Sequence, residues 1–305
     1  MTSIHPTPSR PTRPRLALAI GTGGARAAAA LGVAEVLAES GLVIDAVAGC
    51  GSGALVAAMI ARGVEKEAAF AWLRRLWDPA IARRTRWLAS LRLLAPLVSG
   101  FDEDFALRDD RRLVAELARA FGRMRIEELP VPLRIVVTDT LTGRPAVLRR
   151  GPLATALRAS AATPFLYPGA LADERRVSDG AQSDPLALVA VDDAQVTVSV
   201  GFAGSLPRRV DRPSLLIAQV GTTLVNNLSQ ARVEALRASG RPFMHLEPRF
   251  DRHIGRWETD ALEELHQIGR ETARRRVGEI RRLDEHARAL ATLPYTPPFT
   301  PRSPT

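Results

Sequence analysis

The sequence predicts an α/β protein with a mostly parallel central sheet and flanking helices. Short apolar runs alternate with longer helical patterns along the body of the chain. The first two apolar runs each end in a glycine-rich turn that opens a helix, the pattern of parallel strands joined by helical crossovers. With 46% hydrophobic residues in 305, the chain has enough apolar surface for a large core.

Residues 16–20 form a continuous apolar run ending at Gly21, which predicts a buried strand. Residues 25–40, rich in Ala and Leu, predict a helix stopped by Gly41. A second buried strand is predicted over 43–48, broken by Gly49, and a helix over 53–61, stopped near Gly63. Residues 65–77 and 87–94 read as helices around Asp78-Pro79, and 110–121 as an amphipathic helix. Strands follow at 133–138, 146–148, 195–200 and 243–246. Helices are predicted over 151–161, 215–239 and 258–282. Proline crowds both ends, so residues 1–14 and 293–305 are expected to be disordered tails. Nothing linker-like interrupts 15–292, which is expected to be one domain.

The formal net charge is +9, carried by arginine except for Lys66. Such a surface suits anionic lipid, and it suits nucleic acid on charge alone, without a recognisable module; simple solvation explains it equally. No nucleic-acid partner is expected. Cys50 is the single cysteine, so no intrachain disulfide forms. The first fifteen residues lack an apolar signal core, and no run reaches the ~18 apolar residues of a membrane span. The expected location is cytoplasmic, with peripheral membrane contact open. Residues 83–97 mix Arg with Trp and Leu, which fits an interfacial helix or a cap packed over a site. Trp72 and Trp77 read as core. His245, His253, His266 and His286 show no metal-like pairing, and neither a metal nor a cofactor is expected.

Three motifs carry chemistry. The first is Gly21-Thr22-Gly23-Gly24-Ala25-Arg26-Ala27, the second Gly49-Cys50-Gly51-Ser52-Gly53, the third Ser178-Asp179-Gly180-Ala181. The two glycine turns aim free backbone N–H groups and positive helix ends at one sheet edge, where a phosphate or a developing oxyanion is stabilised. The first turn also looks like a dinucleotide fingerprint, but that fingerprint wants an acid at the end of the second strand, and Asp45 stands near its start.

Together these motifs resemble the patatin-like phospholipases. In that family a glycine-rich oxyanion loop with a basic residue precedes a Gly-x-Ser-x-Gly elbow and an Asp-Gly-Gly or Asp-Gly-Ala motif. The resemblance runs from about residue 16 to about 276 and includes Ile126-Glu127-Glu128-Leu129-Pro130, Thr138-Asp139, Thr142-Gly143, Ala156-Leu157-Arg158-Ala159-Ser160 and Pro164. It implies a three-layer fold with a helical cap and a serine acyl hydrolase acting on lipid or acyl-ester substrates through a Ser–Asp dyad. By position Asp179 is the dyad acid, Gly23 and Gly24 belong to the oxyanion loop, and Arg26 is its basic residue, which either binds a lipid phosphate or ties down the loop.

The chain departs from the family pattern at the elbow. Aligning Gly49 and Gly53 with the outer glycines puts Gly51 at the nucleophile position and Ser52 beside it; Thr22 and Ala27 replace loop glycines. Ser52 is then either a displaced nucleophile or a helix N-cap, where serine is favoured anyway. Cys50 reads as a small buried hydrophobe, and Asp139 as a strand end that supports structure. Two functions follow: a lipid acyl hydrolase using Ser52 and Asp179, or a catalytically silent relative that binds acyl lipid or a protein partner.

Overall fold

The computed structural model describes residues 14–78, 105–207 and 209–292. Its centre is a sheet of eight strands among these residues. They are β1 (Leu16–Ile20), β2 (Ala46–Cys50), β3 (Leu133–Asp139), β4 (Pro145–Leu148), β5 (Ala170–Ala172), β6 (Arg175–Asp179), β7 (Val196–Val200) and β8 (Phe243–Leu246). The order is β5-β6-β3-β2-β1-β7-β8, with β4 also paired to β3. The pairs β1–β2, β1–β7, β2–β3 and β7–β8 are parallel; those of β4, β5 and β6 are antiparallel. The expected α/β architecture, a mostly parallel sheet between flanking layers, is thus what the chain adopts.

Seven α-helices accompany the sheet among the described residues: α1 (Ala29–Glu39), α2 (Ser52–Arg62), α3 (Lys66–Leu76), α4 (Arg111–Phe121), α5 (Leu153–Ser160), α6 (Pro213–Ala238) and α7 (Leu262–Thr292). Side chains of a strand alternate between faces. On β1, Leu16, Leu18 and Ile20 face the larger core with α1, α2, α5 and α7. Ala17 and Ala19 face the other way, with Ala46, Ala48 and Cys50, onto Ala187, Ala190, Val191 and Ala194. Small side chains let that irregular 3₁₀ segment sit close to the sheet. Each fully buried Leu or Ile contributes about 1.5–3 kcal/mol.

α1 crosses α7 at backbone contact. A Cβ on Gly32 would lie 2.1 Å from the His266 carbonyl oxygen, and one on Gly269 would lie 1.8 Å from that of Ala29. Only glycine permits that approach.

Several expected boundaries move. β2 starts at Ala46 rather than residue 43, because Asp45 is a cap: its carboxylate accepts the N–H groups of Arg15 and Leu16 at 3.1 and 2.9 Å. The first helix opens as a 3₁₀ turn, Gly24–Ala28, before α1 proper. α7 begins at Leu262 and runs to Thr292, ten residues beyond the expected end at 282, there being no breaker before Pro294. The β5–β6 hairpin was absent from the sequence expectation; Asp173 and Glu174 turn it at φ 49° and 61° without a glycine. The expected helix over 87–94 and the 83–97 cap or interfacial segment lie outside the described residues, as do 1–13 and 293–305.

Candidate functional site

β1, β2 and β7 are parallel, so the segments that follow them leave the sheet at one edge. The turn after β1 is pinned there. Gly21 N–H donates to Val200 O at 2.9 Å, Thr22 N–H to Pro185 O at 3.0 Å, and Ala25 N–H to Arg256 O at 2.8 Å. These bonds leave the N–H groups of Gly23 and Gly24 pointing at one spot, where Ser52 Oγ accepts both, at 2.9 and 2.8 Å. A Cβ on Gly23 would lie 2.7 Å from the Phe202 side chain, and one on Gly24 2.7 Å from Arg256 O. The backbone must therefore be bare here.

The turn after β2 passes through Gly51 at φ 54°, ψ −128°, a conformation that strains any residue with a side chain. Its N–H donates to the buried Ser160 Oγ at 2.8 Å. The outer glycines let the two turns nest. A Cβ on Gly53 would lie 2.4 Å from both Ile20 O and Gly21 O, and one on Gly49 2.6 Å from Ala54 Cα. Ser52 is the first residue of α2 and makes no N-cap bond; the N-cap position belongs to Gly51. The expected capping role of Ser52 is corrected on that account: its oxygen reaches across to the other turn.

The acid arrives from the antiparallel side. Asp179 ends β6, with its N–H donated to Ala162 O at 3.0 Å and its carbonyl accepting from Thr138 Oγ1 at 2.8 Å. Oδ1 accepts from Ala181 N–H and Oδ2 from Thr163 Oγ1, both at 3.0 Å. Burial pushes its pKa above the usual carboxylate value, opposed by the Ala181 N–H, the Arg256 cation and Thr163.

Thr22, Gly24, Gly51, Ser52 and Asp179 share one cavity of about 60 Å³. Leu55, Trp77, Leu117 and Leu157 supply apolar wall, and Arg256 and Tyr167 polar groups. The cavity therefore combines an apolar lining with a hydroxyl, a buried carboxylate and two convergent amides.

The other expected residues fall as follows. Arg26 ties down its loop: Nε donates to Gly23 O at 3.1 Å and a terminal nitrogen to Ala203 O. Burial lowers its pKa. Cys50 is fully buried, its thiol donating to Pro185 O at 3.1 Å. Burial, with Asp179 and Asp184 nearby, raises its pKa well above the ordinary thiol value, so it is a packing residue. Asp139 accepts the N–H groups of Leu141 and Thr142 at 3.0 Å and shapes the turn into β4. Trp77 is buried and also lines the cavity; Trp72 meets Phe121 edge-on. His245 bonds Ser199 Oγ at 2.7 Å and His266 meets Glu35 at 2.6 Å; no histidine lines the cavity among the described residues. Among those residues no His, Cys, Asp and Glu cluster has a metal-binding arrangement.

Sequence reading missed Thr22 as a wall of the site, and missed Thr163, Ser160 and Arg256. Thr163 and Ser160 stood within quoted family landmarks or beside them. Arg256 carried no local signal, lying in an irregular loop before α7.

The family model described as patatin-like phospholipase matches residues 18–191. Uncharacterized NTE family proteins of Mycobacterium tuberculosis and Mycobacterium bovis are 38% identical over 194 residues, covering 63% of this chain and 50% of theirs. A second NTE family protein of M. tuberculosis is 32% identical over 213 residues, covering 66% of this chain and 34% of its own. The chain thus spans about half the length, or less, of the curated relatives it matches. Among solved structures, VipD from Legionella pneumophila aligns with 93% of this chain and 75% of its own at 13% identity and a TM-score of 0.36. The type III effector protein ExoU aligns with 90% of this chain and 54% of its own at 15% identity and a TM-score of 0.40.

Proposed function

We propose that this chain, which belongs to the patatin-like phospholipase family, is an acyl-ester (lipid) hydrolase with a degenerate nucleophile elbow, in which Ser52 and Asp179 do the chemistry at a low rate. The observation that carries the reading is the bonding of Ser52 Oγ to the Gly23 and Gly24 amides in a cavity shared with Asp179. At rest the serine oxygen occupies the place an oxyanion would take. Rotation about its side-chain bond frees both amides for the substrate carbonyl oxygen. Ser52 Oγ then attacks the carbonyl carbon, and its proton passes to the Asp179 carboxylate. The ester C–O bond breaks and the alcohol leaves with that proton. Water, deprotonated by Asp179, next attacks the acyl-serine; the acyl C–Oγ bond breaks, Asp179 returns the proton to Ser52 Oγ, and the fatty acid is released. Burial raises the Asp179 pKa, which makes its carboxylate a stronger base than an exposed one.

Gly51 stands at the elbow position of the family pattern, where it supplies no hydroxyl. Ser52 is one residue on, its Cα ~3.8 Å away, and a misplacement of ~1 Å can cost about a hundredfold in rate. Slow turnover follows. A second reading, a silent relative that binds acyl lipid, is favoured by one observation: Thr22 Oγ1 sits 2.6 Å from where a Cβ on residue 51 would stand. Without a reacting serine, an oxyanion site alone retains only ~10³–10⁴ over water.

A fluorophosphonate probe separates the two. Phosphonylation of Ser52, absent in both Ser52→Ala and Asp179→Asn, supports the hydrolase. An unlabelled, folded wild-type protein that still binds fatty-acid ester supports the silent reading.

A further inference from the structure

We propose that the first four turns of α6, with the segment leading into them, form a docking surface for an anionic lipid bilayer. Six large apolar side chains are exposed in this short stretch: Leu206 at 49%, Val210 at 38%, Leu216 at 52%, Ile217 at 66%, Val220 at 51% and Leu224 at 63%. On a helix, positions 216, 217, 220 and 224 fall within an arc of about 100°. They therefore make one continuous stripe rather than scattered contacts.

The helix is poor in anchors where the stripe lies. Asn226 holds Gly204 through its N–H and carbonyl, at 2.8 and 2.9 Å, and Arg232 donates to Ser183 O at 2.8 Å. Val233, near the far end, is its buried residue among those described. No charged residue occurs from Pro213 to Ala231. Arg209 and Arg212 flank the stripe, both exposed, against the single acid Asp211. An uncharged apolar face bordered by arginine complements a surface that is hydrocarbon below and negative at its headgroups. The helix does not cross the bilayer: no described helix is long and apolar enough.

The position of the stripe suits a lipid surface. Thr222 and Asn226 of α6 meet Gly204, four residues past the end of β7, so the Leu224 end of the stripe lies near the sheet edge that carries both glycine turns. Phe202, in the approach to α6, packs against Gly23, and Ala203 O holds Arg26. A bilayer seated on α6 therefore reaches the side of the molecule that carries the cavity through the Leu224 end of the stripe. Docking is a surface property distinct from the chemistry at Ser52, and each is read separately.

The test is co-sedimentation of the full chain with phosphatidylcholine vesicles, with and without phosphatidylserine, in the absence of any turnover assay. Wild type is expected to pellet with the anionic vesicles and to bind neutral ones more weakly. Ile217→Glu/Leu224→Glu should lower partition by roughly tenfold or more. Arg209→Glu/Arg212→Glu, which loses only the exposed Arg212–Asp211 pair at 3.9 Å, should lower it on anionic vesicles alone. Unaltered circular dichroism and melting temperature in both variants exclude misfolding. The proposal is overturned if wild type stays in the supernatant. It is overturned if both variants bind as wild type does. It is also overturned if light scattering shows a wild-type dimer that the Glu variant splits. Failure of probe labelling with intact vesicle binding removes the hydrolase reading and leaves this one standing.

Discussion

Thr22 occupies the space that a side chain on Gly51 would need. Its Oγ1 lies 2.6 Å and its Cβ 3.1 Å from the ideal Cβ position at residue 51, while Asp179 Oδ1 lies 3.1 Å from the same point. The elbow position thus still faces the acid, and the loop threonine fills the gap. Gly51→Ser alone is therefore expected to lose about 1–3 kcal/mol, through a positive φ and the contact with Thr22. Thr22→Gly/Gly51→Ser removes the contact, recovers part of that loss, and should hydrolyse a short-chain ester faster than wild type. Urea denaturation and an ester assay on both variants decide it. A folded double variant without activity would show a second lesion in the site.

Ser52→Ala leaves the Gly23 and Gly24 amides without their acceptor. An unpaired buried donor costs about 1–3 kcal/mol, and water entering the part-buried site offsets some of it. A loss near the lower end of that range is expected in denaturant titration. No loss at all would mean that the serine contributes nothing to holding the two turns together.

The glycine turns were legible because contact forces glycine at Gly23, Gly24, Gly49 and Gly53, leaving a spacing that can be read without coordinates. The strands β1, β3, β7 and β8 were legible as apolar runs, and Asp139 as a strand end. What escaped had no local pattern. The Asp173–Glu174 turn places no glycine at its two positive-φ positions, so the β5–β6 hairpin that delivers Asp179 left no glycine signal. Thr22 reads as any loop threonine until the bend at Gly51 is placed beside it. Ser52 sits where a helix N-cap is expected, and only the nesting of the two turns shows its oxygen turned toward the other loop.

Asp179 sets a pH dependence. Its folded pKa is raised, chiefly by burial, so folding favours the neutral acid more than the unfolded chain does. Stability from this group is fully present below the unfolded carboxylate pKa and is lost as pH rises through the folded value. Asp179→Asn keeps an oxygen to accept the Ala181 N–H and removes the buried charge. The variant should melt above wild type at neutral pH, the gap closing as acid protonates the wild-type carboxyl. Melting curves across acidic to neutral pH check this; a variant less stable at every pH would mean that the carboxylate's hydrogen bonds outweigh its burial.

Two glycines of α7 give a paired test of how α1 and α7 are joined. Helix propensity favours Ala over Gly by about 1 kcal/mol at an interior position. At Gly278 nothing lies within 4 Å of a new Cβ, so Gly278→Ala should stabilise by up to that amount. At Gly269 the new Cβ would lie 1.8 Å from Ala29 O, a backbone atom that cannot step aside without moving α1. Overpacking of a close-packed contact costs about 1–3 kcal/mol or more, which outweighs the propensity gain, so Gly269→Ala should destabilise. Since Ala29 directly follows the 3₁₀ turn Gly24–Ala28, a displaced α1 also disturbs the Gly23 and Gly24 amides. Gly269→Ala should therefore reduce Ser52 labelling by the fluorophosphonate probe, whereas Gly278→Ala should not. Equal stability and equal labelling in the two variants would mean that the helices are not in backbone contact and that the oxyanion turn does not depend on their crossing.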